Sequence, residues 1–168
     1  MSYKTKTFTT QSDKEVQVSI ASPSQFILEH QQQLLPNWNI SIHLVILLLQ
    51  QSSISLKEFN NQVIQEKDCL RANFLRWGTS LIFALQDLGY KSDLFDPRDG
   101  YPLLSQPGKS TLDDNAVVKA SLDYPLINYN GCSVVKHPTW GDQVYPGTIV
   151  TAAPQDAVTP LIKNLLAD

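Results

Sequence analysis

The sequence predicts a single α+β domain in which a mixed or antiparallel sheet packs with helices. Three observations carry this. Val16, Val18 and Ile20 alternate with polar residues across Glu15–Ala21, the period-two signature of a half-exposed strand. The run Ile-Ser-Ile-His-Leu-Val-Ile-Leu-Leu-Leu at 40–49 starts alternating and ends continuously apolar, as a central strand does when both faces become covered. Leu70, Phe74, Trp77, Leu81 and Leu85 then recur at three- and four-residue steps, which predicts a long amphipathic helix over 66–88.

At 168 residues the chain suits one domain with a core large enough to need no disulfide or metal staple. Residues 1–14 are polar and Thr-rich, without the apolar core of a secretory signal or the arginine-rich pattern of a transit peptide. They read as a short tail ahead of a domain at 15–168. A formal net charge of −3 gives no electrostatic reason to expect nucleic acid or an anionic membrane surface as a partner. The apolar run at 40–49 falls far short of the ~20 residues a membrane helix needs. Cys69 and Cys132 show no CxxC or metal-finger spacing, which fits a reducing compartment and predicts a cytoplasmic protein.

Taken in order, the first strand is followed by a helix with Ser22 as cap and Pro23 in its first turn, Phe26, Ile27 and Leu34 on its apolar side and Pro36 as its stop. His30 belongs to its solvated side. His43, in the central strand, is expected as a core or sheet-face histidine. An extended piece over 54–59 leads to the long helix, where Cys69 is expected as a small buried hydrophobe and Gly78 as a point of close backbone approach. Gly89 ends that helix, 90–95 should run into a strand, and Asp96-Pro97-Arg98-Asp99-Gly100 is a turn signal that could also suggest a divalent-metal loop. Ser110-Thr111-Leu112-Asp113 resembles a capping box opening a short helix through Ala120. Gly108-Lys109-Ser110 ends like a phosphate loop but lacks the earlier glycine of that motif. Strands over 132–137 and 144–152 and a helix after Pro154, holding Val158, Leu161, Ile162 and Leu165, complete the chain.

The chemically informative stretch is Asn130 to Gly141. Cys132 can serve as a soft metal ligand or a nucleophile, and Lys136 and His137 are neighbours of the kind that lower a thiol pKa from about 8.5. Gly131 permits a positive φ or a close approach to a ligand, which would set the thiol on an accessible edge. Free cysteines are also among the most buried residues, so a space-filling Cys132 stands beside the ligand reading. Strand periodicity puts Cys132, Val134 and Lys136 on one face and Ser133, Val135 and His137 on the other, so a local Cys–His pair needs a bulge. Lys136 is then the better placed cation. The simplest roles of His137 and Trp140 are structural: Pro138 ends the strand, the Trp140 indole covers the sheet edge and Gly141 permits the turn.

Several anchors recur in order: Phe83-Ala84-Leu85-Gln86-Asp87-Leu88-Gly89-Tyr90, then Asp93-Leu94-Phe95-Asp96-Pro97 and Gly100, then Gly131-Cys132 through Val135-Lys136-His137, Trp140-Gly141, Val144, Gly147 and Ile149. Together they resemble the CblD family of cobalamin-trafficking proteins. The likeness runs from about Arg76 to the C-terminus and is only a matter of pattern before it. It implies a nitroreductase-like domain without flavin chemistry of its own, a non-enzymatic adaptor with no cofactor bound alone. The partner it implies is a CblC-like cobalamin-processing protein, whose cobalt is approached by the thiol at Cys132 so that cobalamin is routed to methionine synthase or methylmalonyl-CoA mutase. Gly131, Lys136, His137 and Trp140 are the supporting candidates, and Cys132 the one cobalt ligand. The family's human representative has two adjacent cysteines after the glycine, whereas Ser133 follows Cys132 here. A monomer that pairs with its partner is the expected state.

Two other functions are compatible with the residues. One is a thiol enzyme, redox or acyl-transferring, with Cys132 as nucleophile; it requires His30, His43 or His137 within hydrogen-bond reach. The other is a flavin-dependent reductase, for which no basic cluster or glycine-rich loop is visible.

Overall fold

The computed structural model describes residues 3–9 and 167 as backbone and residues 14–166 in full. Five strands form an antiparallel sheet in the order β1-β2-β3-β7-β4, with β1 Tyr3–Thr9, β2 Glu15–Ala21, β3 Leu44–Gln51, β4 Ser92–Phe95 and β7 Val144–Thr151. A separate two-stranded hairpin pairs β5 Leu126–Tyr129 with β6 Cys132–Val135. The helices are α1 Gln25–Leu34, α2 Asn61–Asp87, α3 Asp114–Leu122 and α4 Gln155–Ala167. Tyr3–Thr9, placed by sequence in a polar tail, pairs along β2 as an edge strand. Apart from residue 14, the rest of that stretch lies outside the described residues.

Period-two alternation sorts the sheet into two covered faces. Val18 and Ile20 of β2, Leu44, Ile46 and Leu48 of β3 and Ile149 of β7 pack with Phe74, Leu81 and Leu85 of α2 and Val158 and Ile162 of α4. Val45, Leu47, Leu49 and Val150 point the other way, into a core shared with α1, α3 and the hairpin residue Val135. Strand β3 is thus buried on both sides, as its apolar run predicts. Gly78 lets α2 sit close to β4: a Cβ there would lie 2.6 Å from Leu94 Cδ2. A third cluster, Leu56, Val63 and Leu70 with Tyr145 against it, closes the end of the sheet where β7 begins.

Several boundaries differ from expectation, each for a local reason. Helix α1 begins at Gln25 because the cap is Ser24 and not Ser22: Ser24 is extended and its hydroxyl accepts from the Ile27 N–H at 3.3 Å. Helix α2 begins at Asn61, ahead of the expected 66, because Asn60 caps the Val63 N–H at 2.9 Å; the polar first turns gave no periodic signal. Residues 54–59 form an irregular loop. Asp113 caps α3 by itself, accepting from the N–H groups of Asn115 and Ala116. Ser110 instead docks on the end of α1, its N–H bonding the Gln33 carbonyl at 3.0 Å. A Cβ on Gly108 would lie 1.9 Å from that same carbonyl oxygen, so the phosphate-loop-like triplet is a packing joint. His43 is exposed just before β3. Cys69 is exposed, one position off the buried stripe of α2, instead of filling space. Strand β6 stops at Val135, and His137 makes only an isolated bridge to Gly141.

Candidate functional site

The hairpin fixes Cys132. Tyr129 and Cys132 are register partners, leaving a two-residue connection, Asn130-Gly131, with φ of 51° and 85°. Positive φ at both positions is the mark of a type I′ turn, and Asn-Gly is its favoured pair because Asn tolerates and Gly freely adopts that geometry. The Asn128 Oδ1 accepts from the Gly131 N–H at 3.0 Å and holds the turn. Cys132 leaves it exposed, with no hydrogen bond at sulfur among the described residues. Lys136 is also exposed, its N–H bonded to the Pro125 carbonyl at 2.9 Å, and its ammonium makes no ion pair among the described residues.

His137 and Trp140 go elsewhere. The imidazole is buried, stacked on the Trp140 indole with centroids 4.0 Å apart and an 8° tilt, and edged by Tyr124. Its Nδ1 accepts from the N–H groups of Thr139 and Trp140 at 3.0 and 3.1 Å. With Nδ1 an acceptor, Nε2 carries the proton and donates to Gln17 Oε1 at 2.7 Å. Gln17 in turn donates to the Tyr124 hydroxyl, and the Trp140 Nε1 donates to Glu15 at 3.0 Å. These residues lock the segment after β6 onto β2. They are brought together with each other, not with Cys132.

Burial holds the His137 pKa below the ordinary imidazole value, an effect the Glu15 carboxylate only partly offsets. The unfolded chain takes up this proton near pH 6.5 and the folded one only lower. This contribution to stability is therefore complete above about pH 6.5 and declines as pH falls from there to the folded pKa. Asp114 acts oppositely: its raised pKa lowers stability as pH rises towards about 7. The difference between wild type and His137→Gln isolates the histidine. Urea midpoints should drop more steeply between pH 6.5 and 5.5 in wild type than in the variant, and equal slopes would contradict a neutral, structural imidazole.

Several further charged residues line a cleft of about 520 Å³ beside the hairpin. One wall is the first half of α2, with Ile64, Lys67 and Arg71; the opposite wall is β6, with Ser133 and Val134. Arg71 grips Asp96 through Nε, at 2.7 Å from Oδ1, and through a second nitrogen. The guanidinium holds the Asp96 carboxyl below the usual range, while Asp96 also accepts from the Arg98 N–H. The Asp96-to-Gly100 segment is thus a turn anchored to α2. Asp99 accepts from the Tyr101 N–H, and no group of three or more metal-binding side chains occurs among the described residues.

At the floor, Asp114 is part-buried as a residue, and its Oδ1 accepts from the Thr148 hydroxyl at 2.6 Å. Burial pushes its pKa up to about 7 against the pull of that bond, with Asp113 and Asp96 adding repulsion. Tyr145, beside it, has its hydroxyl pushed upward by burial and by Asp114. Sequence reasoning passed over both: an aspartate in a helix's first turn reads as a cap, and nothing along the chain places Thr148 against it.

Fold and site together define an α+β domain that offers a surface thiol, without a partner among the described residues, next to a cleft of mixed polar and apolar lining, with its one buried histidine engaged in structure. Residues 2–165 match the family model described as methylmalonic aciduria and homocystinuria type D protein, and the chain belongs to that family. It is 21% identical over 151 residues to the cobalamin trafficking protein CblD of Gallus gallus, covering 90% of this chain and 50% of that protein. It is 24% identical over 114 residues to the CblD protein of Homo sapiens, covering 68% of this chain and 38% of that one. The chain spans about half or less of the length of these relatives.

Proposed function

We propose that this chain is a non-enzymatic adaptor in cobalamin trafficking, which docks on a CblC-like carrier and offers the Cys132 thiolate to the cobalt of the cobalamin that carrier holds. The observation behind the reading is the placement of Cys132: exposed, at the exit of a tight two-residue turn, on an element outside the main sheet, and free of any structural partner among the described residues. The thiol gives its proton to solvent, a sulfur lone pair fills an axial position of cobalt, and the ligand displaced from that position leaves. No electron is transferred. A thiolate suits a soft or borderline centre, and joining the two proteins through cargo makes recognition and ligand exchange one event. Relatives named for cobalamin trafficking support the pathway, and methionine synthase or methylmalonyl-CoA mutase would receive the cofactor. The nitroreductase-like description of the domain belongs to the same reading.

A thiol-enzyme reading finds less support, because His137 spends both ring nitrogens on Gln17 and on backbone N–H groups, and the His30 Nδ1 pairs with the Phe26 carbonyl at 2.8 Å. The test mixes wild-type and Cys132→Ala protein with carrier-bound cobalamin and follows the visible spectrum. Wild type should shift the cobalamin bands and the variant should not. The same shift in both would end the case for sulfur coordination.

A further inference from the structure

The cleft beside β6 is not used by the thiolate chemistry. Its mouth adjoins Cys132: Ser133, Val134 and Val135 line it directly after the cysteine, and Lys57, in the loop that forms its rim, lies 5.0 Å from the ring of Tyr129, the strand partner of Cys132. Successive strand residues advance about 3.4 Å, so the thiol stands one or two steps from the lining. The volume is that of a site for a small group with an apolar body and a few polar contacts.

The charges of the cleft say which group. Arg71 is committed to Asp96, Arg98 pairs with Asp68, and Lys67 lies over the exposed ring of Phe59 at 5.8 Å. Glu58, Asp68, Asp99, Asp113 and Asp114 outnumber those three cations, so phosphate or carboxylate is disfavoured. Asp114 uses Oδ1 for Thr148, and among the described residues no donor reaches its other oxygen. That oxygen is open to the cleft and not sealed in the interior, so a donor entering the cleft can take it over from solvent. A primary carboxamide fits either state: its N–H donates to that oxygen where the carboxyl is ionised, and its carbonyl accepts the O–H where the carboxyl is protonated. Corrin rings are edged with such amides.

We propose that the cleft seats a peripheral carboxamide of the corrin that Cys132 engages, anchored on Asp114, so that the cargo is held at two points, sulfur on cobalt and carboxyl on amide. This rests on the cobalamin reading above. A glutamine or asparagine of the carrier offers the same chemistry, and an empty carrier separates the two sources.

The experiment follows the ¹³C carboxyl resonance of Asp114 and, in parallel, the visible spectrum, on adding a CblC-like carrier either empty or loaded with aquocobalamin. The Asp114 resonance should move with the loaded carrier alone, and should still do so in Cys132→Ala. Val134→Trp and, from the opposite wall, Ile64→Trp fill the cleft from partly exposed positions. Either should abolish the movement and weaken binding of the loaded carrier about tenfold, the equivalent of one lost charge-assisted bond. A resonance that stays still, or moves equally with the empty carrier, overturns the proposal. Band shifts without movement of the resonance would leave the thiolate reading standing alone, and movement without band shifts would remove the thiolate and keep the cleft.

Discussion

Asp93→Ala should lower the stability of the domain by about 3 kcal/mol, the largest loss expected of any single polar truncation here. Asp93 is fully buried on β4, and its two oxygens accept from three backbone N–H groups: Leu94 at 2.7 Å, Leu104 at 3.1 Å and Ser105 at 2.7 Å. The same loop is also held by the Leu103 N–H bond to the Leu94 carbonyl, the Trp38 indole N–H bond to the Ser105 hydroxyl, the Asn37 amide bond to Gln106 and the bridge between Phe95 and Pro102, but the carboxylate alone gathers three backbone donors. Alanine would strand buried donors, whereas Asn keeps the shape and one acceptor and should cost less. Urea unfolding of the two variants measures both. Similar small losses for both would mean that water replaces the carboxylate and that the loop is not anchored through it.

Gly147→Ala should destabilise by about 1–3 kcal/mol, the usual range for an overpacked core. Gly147 lies in the middle of β7 opposite Leu48, and the ring of Phe74 from α2 packs against it. An added Cβ would sit 2.4 and 2.5 Å from two ring carbons. Phe74 is fully buried and has nowhere to retreat. The backbone here is ordinary strand, so the effect comes from space and not from φ. The double variant Gly147→Ala with Phe74→Leu should recover part of the loss; strict additivity would indicate that the two residues do not meet.

The sheet was legible wherever a pattern repeats over several residues. The run ending at Leu49 and the stripe from Leu70 to Leu85 lie where their periodicity puts them; Val16, Val18 and Ile20 do form a strand, but it is covered on both faces instead of half-exposed, because Gln17 and Ser19 between them are buried as well. The start of α2 was not, because Asn60 announces it through one hydrogen bond and no apolar spacing. Strand β5 was missed although Asn130-Gly131 is a hairpin signal, since Leu126–Tyr129 is too short to alternate convincingly. Strand β1 looked like a tail because its pairing with β2 is a backbone matter that polar residues do not advertise. At the site, the positive φ of Gly131 was legible, whereas the exposure of Cys132 decides between a space-filling and an accessible thiol, which local chemistry had left open. The partners of His137 did not: Gln17 is 120 positions away and Glu15 is 125 from Trp140. The cleft is likewise a product of tertiary folding, joining Arg71 to Asp96 and Asp114 to Thr148.

Among the described residues the hairpin shares no ladder with the five-stranded sheet; its base is held by Val135 and Leu126 against the core and by a bond from the Asn115 amide to the Ser133 carbonyl, while its tip stands clear of both. Natural variation or engineering can therefore lengthen, shorten or re-aim the tip that bears Cys132 while β3 and its neighbours stay as they are. Reach and angle of delivery are adjustable quantities in this architecture, separable from whether the protein folds at all.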